Sequence, residues 1–208
     1  MNLIGFDFSC NKPGCCVKLN EKIHFALWPL ELDNKSIEKF KMANVYIDNR
    51  QRLTLGKNSS EKFRWHVSMA NDLSNKIISY IKETINSNEE TIIAFEGSSF
   101  GSKGDAGLQL AGYRYILMNE LGKIYGLHNI FTYAPLTIKS IAGCASKDKK
   151  GKDSIIEAFK ELNVDHDFCK VLRNNPELLR KKTNYIMGVD DLTDAFFTLE
   201  TLRKKEGI

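Results

Sequence analysis

Asp191 and Asp194 stand three residues apart in Gly188-Val189-Asp190-Asp191-Leu192-Thr193-Asp194-Ala195. A helix would bring both carboxylates to one side and add the positive end of its dipole beside them. Two further acids sit where apolar segments carry them inward. Asp7 lies in Leu3-Ile4-Gly5-Phe6-Asp7-Phe8, and Glu96 ends Thr91-Ile92-Ile93-Ala94-Phe95-Glu96. Carboxylates in or at the end of buried strands are costly unless a cation or a partner satisfies them. Magnesium takes a few hard carboxylate oxygens together with water and phosphate. Two such ions about 4 Å apart hydrolyse a phosphodiester by activating a water and stabilising the leaving oxygen. Taken singly, the acids have plainer readings: Asp190, Asp191 and Asp194 as cap and first-turn acids of a helix, and Glu96 as a strand-end acid paired with a lysine. Asp7 has the fewest, because its neighbours leave little room for solvent.

Three segments must converge for these acids to meet. Leu3 to Phe8 is a nearly continuous apolar run, as expected of a strand buried on both faces. Asn11-Lys12-Pro13-Gly14 is turn chemistry, and Cys15 to Leu19 and Ile23 to Trp28 continue an antiparallel meander of three strands. Pro29 to Ser60 is polar and weakly periodic, with Val45-Tyr46-Ile47 as a short strand, and reads as an elaboration of the core fold. Glu61 to Ile85 has helical spacing, Thr91 to Phe95 is a strand, and a Gly/Ser-rich loop over 97–107 leads into a helix ending near Leu121. Asn129 to Tyr133 is a further strand, Ser154 to Leu162 is helical, Pro176 can start a short helix, and Asp190 to about Lys204 is the last helix. Strands first, then alternating helices and strands, predict an α/β sheet with helices on both sides.

At 208 residues the chain fits one globular domain, and 42% hydrophobic with 27% charged residues excludes disorder, collagen-like repeats and a coiled coil. No apolar run approaches the roughly 20 residues that span a bilayer. The opening Met1-Asn2-Leu3-Ile4-Gly5-Phe6-Asp7 has no basic lead and is interrupted by an acid, so no signal peptide and an intracellular (cytoplasmic) location are expected. Cys10, Cys15, Cys16, Cys144 and Cys169 are odd in number and irregular in spacing, which favours reduced thiols packed as small hydrophobes over zinc ligands. The net charge of +4 permits a polyanionic partner without requiring one. Lys147-Asp148-Lys149-Lys150-Gly151-Lys152 and Arg180-Lys181-Lys182 are local basic clusters, and Arg203-Lys204-Lys205 is best read as a solvated helix end.

Five stretches together resemble the RuvC-type Holliday-junction resolvases of the ribonuclease H-like (retroviral-integrase) superfamily. These are Ile4-Gly5-Phe6-Asp7-Phe8-Ser9, Ile92 to Glu96, Ala106-Gly107-Leu108-Gln109-Leu110-Ala111-Gly112, Pro135-Leu136-Thr137-Ile138-Lys139 with Gly143-Cys144-Ala145-Ser146-Lys147, and Asp191-Leu192-Thr193-Asp194-Ala195. They run in the family's order from residue 3 to about 200. The resemblance implies a mixed five-stranded sheet, three strands antiparallel and then parallel ones, flanked by helices, in a single domain over 1–208 with an insertion around 30–60. It implies a magnesium-dependent endonuclease, with Mn²⁺ able to substitute, holding two ions on Asp7, Glu96, Asp191 and Asp194 and cutting branched DNA, most characteristically Holliday junctions. Lys139 would contact DNA phosphate near the cut, with Lys152 or Lys147 as a second contact. Phe100 and Lys103 sit in the loop after Glu96, where the ring could stack on unpaired bases or anchor the loop. Two symmetric cuts imply a homodimer, for which Leu108, Ala111, Tyr115 and Met118 offer either a face or core residues. The divergence of the stretches resembles a phage or mobile-element relative. A flap- or other structure-specific nuclease and a non-catalytic nucleic-acid- or nucleotide-binding relative remain as alternatives; an actin-like ATPase would need a D-x-G-x-T loop, which is not found.

Overall fold

The computed structural model describes residues 1–52, 58–97, 105–145 and 153–208. The chain opens with the expected meander: β1 (Asn2–Asp7), β2 (Gly14–Leu19) and β3 (Lys22–Leu27), each antiparallel to the one before. The polar segment that follows folds as α1 (Asn34–Met42) and β4 (Tyr46–Ile47), the latter parallel to β3. Asp33 caps α1 by accepting the Ser36 N–H at 3.0 Å. A long helix, α2 (Ser59–Thr84), is launched by a capping box between Asn58 and Glu61. Next come β5 (Thr91–Glu96), α3 (Asp105–Tyr125), β6 (Ile130–Tyr133) and α4 (Pro135–Ile141). The last third comprises α5 (Asp153–Lys160), α6 (Asp167–Asn174), a small hairpin of β7 (Arg180–Lys181) and β8 (Asn184–Tyr185), and α7 (Val189–Glu206).

The main sheet runs β4-β3-β2-β1-β5-β6, with β5 parallel to β1 and β6 parallel to β5. Five of these strands make the mixed sheet that the resemblance implies; the two-residue β4, inside the short strand expected at Val45-Tyr46-Ile47, adds a sixth at the edge.

Side chains alternate across the sheet. Ile4, Phe6, Ile93 and Phe95 point to the face covered by α2 and α3, where they join Leu73, Ile77, Ile81, Leu117 and Leu121. Leu3 and Ala94 point the other way, onto a core built with Leu192, Ala195, Phe196 and Leu199 of α7 and the rings of Phe25, Phe159 and Phe168. By the same parity Gly5, Asp7 and Glu96 face α7.

Two glycines let that helix lie directly on the strands. A Cβ at Gly5 would stand 2.3 Å from the Ala195 carbonyl oxygen and 2.5 Å from the Leu199 nitrogen; one at Gly14 would stand 2.5 Å from the Asp191 carbonyl oxygen. No side chain fits at either place. By contrast, Gly112 has nothing within 4 Å of such a Cβ among the described residues.

Candidate metal centre

Register brings the first two acids together. Phe6 of β1 is opposite Phe95 of β5, so the residues that follow, Asp7 and Glu96, end adjacent parallel strands side by side. Gly5 and Gly14 seat the start of α7 on the same face, and its first turns bring Asp191 and Asp194 to that strand end. Ligand-type oxygens of Asp7, Glu96 and Asp194 lie within 4.8 Å of one another. With Asp190, Asp191, Lys12, Pro135, Ile138, Lys139 and Ile155 they line a cavity of about 520 Å³. Crevices beyond the carboxyl ends of strands, where the strand order changes direction, are where open α/β sheets bind ligands.

Helix bounds revise one sequence reading. The cap of α7 is Gly188, so Asp190 lies in the first turn rather than at the cap. It faces Lys12 instead, whose ammonium is 3.1 and 3.2 Å from the two Asp190 carboxylate oxygens and 2.7 Å from Asp191 Oδ2.

Crowding and partial burial make the acids hard to ionise. Burial is the main cause for Asp7, whose carboxyl is held well above the usual range, and the charges of Asp191, Asp194, Glu96 and Asp190 push the same way. Asp194 is pushed up to about 8 by burial and by Glu96, Asp190 and Asp191, with Lys139 opposing. Asp191, only 4% exposed, is pushed up to about 7 by burial and Asp190, although Lys12 pulls it down. Glu96 is raised by burial, against the opposing pull of Lys139, a hydrogen bond from Asp7 and the charge of Arg114. Arg114 of α3 also donates to the Glu96 carbonyl at 3.0 Å, fixing the strand end.

Hard oxygen donors on three elements, short of positive charge, fit a divalent cation of the magnesium or manganese type. Asp191 is not one of the three whose oxygens mutually converge; its charge still acts strongly on Asp7, and Lys12 is its immediate partner.

Lys139, on α4, reaches the cavity and acts electrostatically on both Glu96 and Asp194. Phe100, Lys103, Lys147 and Lys152 lie outside the described residues. On α3, Leu108 and Tyr115 are 74% and 61% exposed, whereas Tyr113, Leu117 and Leu121 turn into the core. Of the cysteines, Cys15, Cys16, Cys144 and Cys169 are buried and Cys10 is half-buried. Among the described residues no helix is long and apolar enough to cross a membrane.

Lys12 is the cavity residue the sequence does not announce. Its place follows from hairpin geometry: Asp7 pairs with Gly14, so the intervening turn must fold back over the end of β1.

The sheet order and its flanking helices make a ribonuclease H-like fold, similar to that of RuvC. Thermus thermophilus RuvC in complex with a Holliday junction substrate superposes with a TM-score of 0.52 at 11% identity, over 100% of this chain and 97% of that one. Thermus thermophilus RuvC in a second structure gives 0.50 at 11% identity, with the same coverage. The yeast mitochondrial Holliday junction resolvase Ydc2 gives 0.56 at 13% identity, over 99% of this chain and 78% of that one. No known protein-family profile matches the sequence, and no curated protein matches it either. The likeness therefore lies in the fold.

Proposed function

We propose that this chain is a divalent-metal-dependent endonuclease that cuts branched DNA, with the four-way junction as its substrate. The observation carrying this reading is the convergence of the Asp7, Glu96 and Asp194 oxygens within 4.8 Å at the ends of two parallel strands. Asp7, Glu96, Asp191 and Asp194 would hold magnesium or manganese, two ions per site, and the bound metal would supply an activated water and stabilise the leaving oxygen of the phosphodiester. The protein's own part is positional and electrostatic. Asp7 and Glu96 are fixed by strand register, Asp194 by the seating of α7, and Arg114 holds the Glu96 backbone in place. Lys139, at the mouth of the cavity, is placed to bind a phosphate oxygen and to offset charge on the reacting group. Two matched cuts call for two copies of the chain, and exposed Leu108 and Tyr115 on α3 offer an apolar face for the second.

The test is cleavage of a synthetic four-way junction, a flap and a linear duplex, with and without Mg²⁺, by wild type and Glu96→Gln. The junction should be cut in preference, only with metal, and not by the variant. Cleavage in EDTA, or an active Glu96→Gln protein, would defeat the reading. Preference for the flap would keep the chemistry and change the substrate.

A further inference from the structure

Lys12 is held in the acidic cavity by more than its ion pairs. The turn that carries it is clamped at every residue: the Lys12 N–H donates to Ser9 Oγ at 3.0 Å, Leu30 N–H to the Asn11 carbonyl at 2.6 Å, and Trp28 N–H to the Pro13 carbonyl at 3.2 Å. Arg50 comes from the polar segment after β4 and is only 2% exposed. It donates Nη2 to the Cys10 carbonyl at 2.7 Å and Nε to the Trp28 carbonyl at 3.0 Å. A buried arginine spent on two backbone carbonyls is a costly device unless the geometry of that turn matters. What the turn presents is one ammonium, paired with Asp190 and Asp191 in the cavity that Asp7, Glu96 and Asp194 also line.

A second cavity, of about 360 Å³, shares Lys12 and Asp190 with the first and is bounded by Asn184, Tyr185 and Met187. Lys12 is therefore a partition between two spaces. Its four-carbon stem is flexible, and the second space adjoins the acidic one.

Resting on the nuclease reading above, we propose that Lys12 is the resident counter-ion of the Asp190–Asp191 end of the site. Asp7, Glu96 and Asp194 then take a first divalent cation in the absence of DNA. A second is admitted only when a phosphate of the bound strand draws Lys12 aside. Lys12 is thus a positioning residue that couples completion of the site to the arrival of substrate, and Arg50 acts through it by fixing the turn.

The experiment is calorimetric titration of Mn²⁺ into the full-length, DNA-free protein, comparing wild type with Lys12→Met and Lys12→Arg, each checked by circular dichroism for native content. Wild type and Lys12→Arg should take up one ion per chain. Lys12→Met should take up a second, with affinity at least about 10-fold above any second event in wild type, the scale on which neighbours tune metal sites. Identical titrations for wild type and Lys12→Met, or two equivalent ions already in wild type, would overturn the proposal while leaving the nuclease reading standing. No uptake by any of the three proteins would sink both.

Discussion

The two faces of the central sheet are packed by different means. On the α2 and α3 face, large side chains interdigitate: Phe6 stacks on Phe95 at 4.8 Å between ring centroids, and Leu117, Leu121, Ile77 and Ile81 close over them. On the α7 face, backbone meets backbone at Gly5 and Gly14, and the buried rings of Phe25, Phe159, Phe168 and Phe196 pack into the same core. Interdigitated hydrophobics tolerate small displacements, because neighbours relax around a lost methyl group. A helix lying on glycine has no such slack, and that helix carries two of the four acids. Both faces bury a hydrophobic core, and the one that fixes the chemistry is held in addition by steric contact.

The largest effect expected is on the acids themselves. Asp7→Asn, Glu96→Gln or Asp194→Asn should lower junction cleavage by about 1,000-fold or more, since metal-borne charge stabilisation is worth several kcal/mol and each 1.4 kcal/mol is tenfold. Single-turnover cleavage at saturating Mg²⁺ measures this. Activity within tenfold of wild type would remove the residue from the site.

A matched pair of substitutions sharpens the contrast between faces. Gly5→Ala and Leu117→Ala should each cost about 3 kcal/mol in urea unfolding, by overpacking and by cavity formation respectively. Only Gly5→Ala should also lose cleavage per folded molecule, by about 100-fold, because a shift of about 1 Å in α7 misplaces Asp191 and Asp194. Equal activity in the two variants would show that α7 is not positioned by this contact.

A smaller effect runs in the opposite direction. Removing one crowded carboxylate from the metal-free protein should stabilise it, so Asp194→Asn should gain about 1–2 kcal/mol in EDTA while losing activity. A lower Tm than wild type under those conditions would mean the acids are better paired than their surroundings indicate.

The pH dependence follows from the same crowding. Asp191 and Asp194 are pushed to about 7 and about 8 in the fold, against about 3.9 in an unfolded chain. Over that interval the folded state holds protons that the unfolded state has released, so stability falls from about pH 4 and the loss is complete once pH has risen through 7 and 8. In EDTA the Tm should fall between about pH 4 and about pH 8 and level off above it. Saturating Mn²⁺ should flatten the decline, because bound metal replaces the protons. A Tm that rises over this range without metal would contradict the burial of these acids.

The sequence shows the strand ends, the acids and the last helix clearly, because each depends on a local pattern: the apolar runs of β1 and β5, and the i,i+3 pair on α7. The alternation that turns Asp7 and Glu96 toward α7 is implicit in those same runs. What escapes is tertiary. Gly5 reads as one small residue in a strand until the Ala195 carbonyl is seen against it. Lys12 reads as part of a turn, and Arg50 as one cation in a polar stretch, until the hydrogen bonds to Cys10 and Trp28 link them. The helices α1, α4 and α6 are only 9, 7 and 8 residues long, too short for a clear period to stand out among polar neighbours.

The most direct test of the account is anomalous scattering from a crystal soaked in Mn²⁺ at neutral pH. A peak coordinated by Asp7, Glu96 and Asp194 is the expected result. Manganese absent from these three carboxylates, or bound only at exposed acids elsewhere, would contradict it.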